Sequence, residues 1–380
     1  MPFVSWNWNL AGTDADRDAF NTMTAQLWTP EQVSLTDDTE DIQGLSDIER
    51  VTLSHVFFGL STVESLQASS ATNALSNDAE RDRPGTSQAV LTAIAFGESI
   101  HTKAYFELIV ALNDNTGETN NADIAKNNDS SQSSFAWTQQ NEAMQEKLQL
   151  LNDVYTTGNQ ISANNDSGAA NLPDLGALKR LAAAVLAQAL LVESGFYLPT
   201  WLSSRGTMTK FADIIRLINR DIVTSSSYLG SVYQRGLEQL DDETRETMRQ
   251  YVYDLANNLY FAEEDYSFTL PYADLGLDDD IEKFLSYNAN KALSYLGYPA
   301  LFPAEISQPN PAVTDELNDM ESLASTLKPA SLFGGSGLNF GSTASASAIG
   351  TSASSLLSPT STGATAANKA EETSDDDWDF

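Results

Sequence analysis

Apolar residues recur every three to four positions over most of the first 300 or so residues, the spacing that gathers them on one face of a helix. The pattern predicts helices over 45–75, 87–112, 135–158, 175–199, 211–240, 242–266 and 279–298. The stretches 113–134 and 159–174 are rich in Asn, Asp, Ser and Gly, which is typical of surface loops. Few segments show the alternation of a strand, so the sequence predicts an all-α bundle.

The character of the chain changes near residue 304. The segment 341–370 is a low-complexity run of Ser, Thr, Ala and Gly, which predicts a flexible tail. The chain then ends in EETSDDDWDF, where acid is followed by two aromatic residues, the usual anchors of a peptide that docks in a groove. A purely solubilising acidic tail would not need those aromatics. We predict a helical domain over 1–305 and a flexible tail over 306–380.

Acidic residues outnumber basic ones by 53 to 20, and the formal net charge is −33. Such a charge argues against nucleic acid as a partner, because nothing would neutralise the phosphates, and it disfavours docking on anionic membranes. The acid is spread along the chain. We interpret it as adaptation to a high-salt cytoplasm, where screening removes the self-repulsion; an ordinary acidic soluble protein is the simpler alternative.

The chain contains no cysteine, which excludes disulfides, thiolate metal ligands and cysteine nucleophiles. Its N-terminus has neither the basic start nor the apolar run of a signal peptide. We expect no stretch of the chain to reach the length of a membrane span. These features predict a cytoplasmic protein.

One motif carries candidate metal chemistry. In FGESIHTKAYF (96–106), Glu98, His101 and Tyr105 fall on one face of a helix. A dinuclear site in a ferritin-like bundle needs two Glu-x-x-His pairs and two more carboxylates. The other histidine, His55, has no glutamate three residues before it. Glu64 lies on another apolar helix, where a buried carboxylate is costly unless it is paired or ligated.

The second half of such a site is missing. Gln188 and Ile222 have the same separation in sequence as Glu64 and Glu98, and Ser225 follows three residues later. An intact site would place two carboxylates and a histidine there, and this chain offers an amide, an alkyl group and a hydroxyl. We predict that no functional dinuclear cluster forms. Either one ion binds weakly at the remaining residues, or their carboxylates share protons or pair with His101.

Several longer phrases carry a resemblance to a known family. The chain resembles the small, radical-generating subunit of class I ribonucleotide reductase, and most of all its class Ib branch, over about residues 5–305 and the last ten. The resemblance implies a ferritin-like helical fold, a homodimer and a large catalytic subunit as partner. The matching phrases are NWNL, QLWTPEQV (26–33), AVLTAIAFGESIHTKAYF (89–106), SGFYLPTWLSSR (194–205), ADIIRLINRD (212–221), YNANKALSYLGY (287–298) and DDDWDF.

The resemblance also implies roles for individual residues. Tyr105 matches the tyrosine that stores the radical, Trp28 the tryptophan on the radical-transfer route, and Asp221 the carboxylate that links this tryptophan to the cofactor. The remaining matches are the metal ligands Glu64, Glu98 and His101, the replaced ligand positions Gln188, Ile222 and Ser225, and the docking peptide Asp377, Trp378, Asp379 and Phe380. Without the resemblance, Tyr105 and Trp28 would be read as packing residues, and Asp221 as the partner of Arg216 or Arg220.

The family includes a metal-free branch, in which ligands are replaced, the tyrosine carries a hydroxylated radical and a flavodoxin-like protein activates the subunit. The replaced ligands, together with the retained Tyr105, indicate that case, although this chain lacks the lysine added in that branch. Phe340 stands about where class Ib members have a relay tyrosine, and no tyrosine follows Tyr298. Two hypotheses remain: a working metal-free radical subunit, or a degenerate subunit that only binds the large one. A ferritin-like oxidase with another substrate fits the docking tail poorly.

Overall fold

The computed structural model describes residues 13–82, 85–114, 136–162 and 174–319. In these ranges the chain forms helices and turns and no strand, which confirms the predicted all-α class. Most of the predicted loops, Phe340 and the terminal docking peptide lie outside the described residues. The helices are α1 (Asp14–Ala25), α2 (Thr39–Gly44), α3 (Asp47–Leu66), α4 (Thr72–Asp82), α5 (Thr86–Asp114), α6 (Glu142–Ser162), α7 (Leu175–Leu186), α8 (Tyr197–Ser204), α9 (Thr209–Leu237), α10 (Asp242–Phe268), α11 (Tyr272–Leu275), α12 (Asp278–Tyr295) and α13 (Pro311–Leu317).

Local sequence fixes where the core helices begin. The Ser46 side chain accepts a hydrogen bond from the amide of Glu49, and Glu49 accepts one from the amide of Ser46, a capping box at the start of α3. The long helix α9 is capped from a distance instead. Asp38 accepts hydrogen bonds from the amides of Lys210 and Phe211 at 2.8 and 2.9 Å, and this fixes the start of the helix that carries Asp221.

Two π-helical segments interrupt helices that the sequence predicted to be continuous. Gln67–Ala71 joins α3 to α4, and Ala187–Val192 extends α7. A π turn widens the helix by one residue and changes which side chains face a neighbour. These two segments present Gln67 and Gln188 to the interior, where both side chains are buried.

The apolar stretch Leu175–Ser204 is long and apolar enough to cross a membrane by length and composition. This corrects the expectation that no stretch reaches that length. Of the apolar window in this stretch, 89% is buried inside the protein, so it is a core element whose hydrophobicity is used in packing. It lies against α9, α12 and α3, with Leu186, Leu190 and Val192 fully enclosed.

Helices α6 and α10 run antiparallel, and two contacts fix their register. Asn141, just before α6, donates a hydrogen bond to the hydroxyl of Thr269, just after α10, at 2.8 Å. Six residues further along α6, the ammonium of Lys147 lies 2.6 Å from the carboxylate of Glu263, six residues earlier in α10. Both charged side chains are buried, and their pairing offsets the cost of removing them from water.

The packed body continues beyond residue 305, where we had placed the boundary of the helical domain. Val313 and Leu317 of α13 are buried. Glu316 accepts hydrogen bonds from Arg216 at 2.7 Å and from Ser203 at 2.5 Å, and these contacts hold α13 against α8 and α9. Arg216 also binds Asp213 of its own helix.

Candidate functional site

The predicted site residues on α3, α5 and α9 meet in one hydrogen-bonded chain. Trp28 donates its indole N–H to Oδ2 of Asp221 at 2.7 Å. The same oxygen lies 3.4 Å from Nε2 of His101, and Nδ1 of His101 lies 3.2 Å from Oε1 of Glu64. This series of hydrogen bonds leads from Trp28 to the buried Glu64 and brings together four residues that are far apart in sequence.

Arg220 is the cation that pairs with Asp221. Its guanidinium donates to Oδ1 of Asp221 at 3.1 and 2.9 Å, and also to the backbone carbonyl of Gln26 at 2.6 Å. Arg216, the other candidate from the sequence, binds Asp213 and Glu316 instead. Arg220 therefore fixes Asp221 and the segment before Trp28 at the same time.

Glu98 lies in a second polar group that contains two of the replaced ligand positions. Gln188 donates its amide N–H to Oε1 of Glu98 at 2.8 Å, and Thr72 donates to Oε2 at 3.4 Å. The carbonyl oxygen of the Gln188 amide accepts the hydroxyl of Ser225 at 2.8 Å. The amide and hydroxyl that replace the expected carboxylate and histidine thus satisfy each other and Glu98.

Tyr105 and Ile222 lie at the apolar side of the site. Both are buried, and the Tyr105 ring stacks on Phe57 with ring centroids 6.3 Å apart. The hydroxyl of Tyr105 has no hydrogen-bond partner among the residues that the structure describes. Oε2 of Glu64 is another buried polar atom with no such partner in the described ranges. Unpaired buried polar atoms of this kind are uncommon in native proteins, so each calls for an explanation.

The electrostatics of the site follow from burial and from the two carboxylates beside His101. Burial alone would lower the pKa of His101, but Glu64 and Asp221 outweigh it and raise this pKa to about 10. Burial and the neighbouring charge of Glu64 raise the pKa of Glu98 to about 8. Burial would raise the pKa of Asp221, but the hydrogen bond from His101 and the charge of Arg220 bring it below its usual value. Burial, with the charge of Glu64, raises the pKa of Tyr105 well above its usual value.

The donor set does not fit a pair of metal ions. Ile222 offers no donor atom, and Gln188 turns its amide nitrogen, which cannot ligate, toward Glu98. The carboxylates of Glu64 and Asp221 are already opposed by the cations His101 and Arg220, so the charge that metal ions would balance is balanced internally. No group of three or more His, Asp or Glu side chains in the described part of the chain is arranged to hold a metal ion.

A small cavity lies beside this site and is lined by residues of α1 and α5. Its volume is about 40 Å³, enough for a few water molecules. Its lining includes Glu98, His101, Gln188 and Asp221, together with the exposed Leu27.

The sequence did not reveal several residues of the site. Thr72 and Gln67 depend on the π segment after α3, and no pattern in the sequence marked that segment. Arg220 was present in the motif NRD, but only as one of two alternatives. Tyr155 on α6 joins the site through Gln67, because its hydroxyl donates to the side-chain oxygen of Gln67 at 3.0 Å. Its place on the apolar face of a predicted helix was the only signal.

Stability should fall with rising pH where Glu98 titrates. The folded state keeps the Glu98 proton up to a pKa of about 8, whereas the unfolded chain loses it near 4.5. The folded state therefore binds more protons in this interval, and the free energy of unfolding decreases as pH rises through it. Glu98→Gln, which is neutral at every pH, should show a flatter dependence in urea unfolding. Parallel pH profiles for the variant and the natural protein would contradict the protonation of Glu98.

Core helices that turn Glu, His, Gln and Ser side chains toward one buried site are typical of the ferritin-like class of helical proteins, whose sites are built between facing helices. The family model for the ribonucleotide reductase small chain matches residues 5–311. The chain belongs to the ribonucleotide reductase small chain family, and the resemblance noted from its phrases is confirmed.

Relatives support the assignment over nearly the whole chain. The chain is 34% identical over 374 residues to ribonucleoside-diphosphate reductase subunit beta nrdF2 of Mycobacterium tuberculosis, with 98% of this chain and 96% of the relative covered. It is 34% identical to the ribonucleoside-diphosphate reductase 2 subunit beta of Escherichia coli, with 82% of this chain and 87% of the relative covered. A solved structure of dimanganese(II)-NrdF from Streptococcus sanguinis matches with a TM-score of 0.69 and 30% identity, covering 83% of this chain and 100% of that one.

The chain is thus a class Ib-like small subunit of ribonucleotide reductase, an oxidoreductase in which small subunits form dimers and pair with a large catalytic subunit. The Streptococcus sanguinis protein is a dimanganese protein by its title. The donor set here differs from what two such ions need, because positions 188, 222 and 225 carry Gln, Ile and Ser.

Proposed function

We propose that this subunit stores an oxidising equivalent as a radical derived from Tyr105 and delivers it to the large subunit for deoxyribonucleotide synthesis, without a dinuclear metal cluster. The observation that carries the proposal is the hydrogen-bonded chain from Trp28 through Asp221 and His101 to Glu64, beside a buried tyrosine. A subunit that served only as a scaffold would have no need of this chain.

The environment of Tyr105 suits a stored radical. The ring is fully buried and packed against Phe57, so reductants in solution do not reach it. Enclosure of this kind lengthens the life of a reactive intermediate because it prevents side reactions with water. Burial and the charge of Glu64 raise the pKa of Tyr105 well above its usual value, so the phenol keeps its proton until it is oxidised.

The two unpaired atoms near Tyr105 favour a hydroxylated form of the residue. A second hydroxyl on the ring, next to the phenol oxygen, would add a donor in a region where Oε2 of Glu64 has none among the described residues. A charged oxygen left without a donor costs more than a neutral one, so the added hydroxyl would stabilise the site. The Tyr105 peptide should then be heavier by one oxygen atom.

The site does not depend on a metal for its charge balance, and this supports a metal-free mechanism. Glu98, His101 and Glu64 are held by hydrogen bonds with Gln188 and with one another. One ion bound weakly at Glu64, Glu98 and His101 would have to displace those contacts. Glu98, His101 and Asp221 hold and move protons in this proposal. The indole of Trp28 is the outermost group of the hydrogen-bonded series that leads to Glu64.

Three partners follow from this proposal. The terminal residues Asp377, Trp378, Asp379 and Phe380 would dock on the large subunit, a prediction that concerns residues outside the described ranges. A flavodoxin-like activase would supply a small oxidant through the cavity beside Leu27. A second copy would complete the dimer. We expect the assembly to work in the cytoplasm.

The alternative is a degenerate small subunit that binds the large subunit and makes no radical. The three replaced ligands favour it, and so does Phe340 in place of a relay tyrosine. The intact contacts of Trp28, Asp221 and His101 oppose it.

Electron paramagnetic resonance of the protein made in its native host, together with the products of genes neighbouring that of the large subunit, tests the proposal. We expect a stable organic radical without coupling to a metal, in protein whose metal content is far below one ion per chain. A silent spectrum in cells that reduce ribonucleotides with this subunit would favour the degenerate alternative. A metal-coupled signal at full metal occupancy would overturn the metal-free mechanism.

A further inference from the structure

Met23, in the last turn of α1, differs from the other methionines that the structure describes. Met144, Met208 and Met248 are exposed by 2% or less. Met23 packs on the hydrophobic core with part of its side chain and is partly exposed with the rest. Among the methionines of the described ranges, it is therefore the one whose thioether a solute in water can contact while the chain stays folded.

Met23 also lines the cavity beside the site, together with Trp28 and Glu98. The cavity volume of about 40 Å³ holds a few water molecules. Leu27, another lining residue, is 38% exposed, so this part of the lining lies at the protein surface. A space of this size admits hydrogen peroxide, which has two heavy atoms, and excludes a branched alkyl peroxide.

Contacts near both ends of α1 hold Met23 in place. Near the start of the helix, Asp16 accepts a hydrogen bond from the hydroxyl of Tyr228 at 2.9 Å. Just after its end, the backbone carbonyl of Gln26 accepts one from the guanidinium of Arg220 at 2.6 Å. Met23 lies three residues before Gln26. The thioether is thus carried by a segment that is fixed to α9 on either side of it.

The sulfur of Met23 is the atom of this lining that accepts oxygen most readily. A thioether is soft and polarizable, and peroxides convert it to a sulfoxide that reductases can reverse. Most of the other lining side chains are aliphatic, amide or carboxylate groups, which do not react with peroxides. The indole of Trp28 is oxidisable too, but it gives up single electrons more readily than it accepts oxygen from a peroxide.

We propose that Met23 is a modification site, at which the cavity presents a thioether to small peroxides and a sulfoxide forms. In this step the sulfur attacks one oxygen of hydrogen peroxide. The S–O bond forms, the O–O bond breaks, and the second oxygen leaves as water with both protons. The sulfur is oxidised by two electrons and the peroxide is reduced by two. The modification needs no radical at Tyr105; its use, the removal of excess oxidant beside Trp28, rests on the proposed function.

Two peroxides of different size test the site in the full-length protein, without activation. Oxygen addition is measured by peptide mass spectrometry with hydrogen peroxide and with tert-butyl hydroperoxide, and each rate is divided by that of free methionine. We expect hydrogen peroxide to oxidise Met23 many-fold faster than Met144, Met208 and Met248, and the larger peroxide to lose most of this reaction. Equal relative rates for both peroxides would place the sulfur in open solvent and overturn the proposal, and so would a Met23 rate no higher than that of the buried methionines.

Two substitutions of glycine by leucine form a matched pair. Gly97 lines the cavity, and a Cβ added there meets no atom within 4 Å, so Gly97→Leu fills open space. Gly44, at the end of α2, has the same free space and is not among the lining residues. We expect oxidation of Met23 by hydrogen peroxide to fall several-fold in Gly97→Leu and to stay unchanged in Gly44→Leu. Equal rates in the two variants would show that the peroxide reaches Met23 without the cavity.

The protective use is tested separately, in activated protein. Met23→Leu keeps the apolar character and nearly the volume of the side chain, an exchange that usually costs little stability. Oxygen addition at Trp28 during activation should then rise several-fold above that in the natural protein. Equal addition would remove the protective use. The peroxide comparison on unactivated protein decides the modification site whether or not Tyr105 forms a radical.

Discussion

Replacing Tyr105 by phenylalanine is expected to abolish ribonucleotide reduction by the reconstituted enzyme while leaving stability nearly unchanged. The Tyr105 hydroxyl has no hydrogen-bond partner among the described residues, so its removal breaks no contact there. The ring and its stacking on Phe57 remain. The change in the free energy of unfolding should therefore stay within about 0.5 kcal/mol. Phenylalanine has no phenolic proton to lose on oxidation, so no comparable radical forms.

Tyr197→Phe should give the opposite pattern and serves as the control. Tyr197 is equally buried, and its hydroxyl donates to Asp280 at 2.8 Å. Asp280 takes no part in the hydrogen bonds that join Trp28 to Glu64. Loss of the Tyr197 hydroxyl should cost about 1 kcal/mol of stability and leave turnover intact. Turnover is measured with the large subunit, and stability by urea unfolding. Unchanged turnover in Tyr105→Phe would remove Tyr105 as the radical site.

Restoring the replaced ligands is expected to change the metal content from trace amounts to two ions per chain. The triple variant Gln188→Glu, Ile222→Glu and Ser225→His would complete the ligand set that the ferritin-like class uses. Position 222 is 1% exposed, so a glutamate there without metal would be an unpaired buried carboxylate, which costs several kcal/mol. The variant should therefore become metal-dependent in its thermal unfolding, with a higher midpoint when Mn²⁺ is added and a lower one with chelator.

The single variant Gln188→Glu isolates the effect of charge from that of a complete site. It replaces the Gln188 amide nitrogen, which lies 2.8 Å from Oε1 of Glu98, with a carboxylate oxygen. The variant protein should therefore lose stability without binding two ions. Metal content is measured by plasma mass spectrometry after dialysis. Two tightly bound ions in the natural protein, or none in the triple variant, would show that positions 188, 222 and 225 do not decide metal binding.

The helices and the positions of the site's carboxylates could be read from sequence because they depend on local spacing. The 3.6-residue period placed Glu98, His101 and Tyr105 on one face of a single helix, α5. The equal separations of Glu64 from Glu98 and of Gln188 from Ile222 identified the replaced positions. The assignment of roles to Trp28 and Asp221 came from the family resemblance, since neither residue carries a local signal of its own.

The π segments and their consequences could not be predicted in this way. Gln67–Ala71 falls inside a run whose apolar period continues on both sides, so the extra residue in the turn leaves no mark in the pattern. It nevertheless decides that Gln67 faces Tyr155 and that Thr72 reaches Glu98. Likewise, the sequence offered both Arg216 and Arg220 to Asp221, and only the packing of α13 on α9 assigned Arg216 to Glu316.

By itself, then, the sequence determined an all-α chain and one intact Glu-x-x-His pair, and it predicted the loss of half a metal-ligand set, because each follows from residue identity and helical period. Only the tertiary structure decided what the remaining groups do. It brought His101 between Glu64 and Asp221 and turned Gln188 toward Glu98. Contacts between residues 37 to 120 positions apart depend on how whole helices pack, and a local pattern carries no information about that packing.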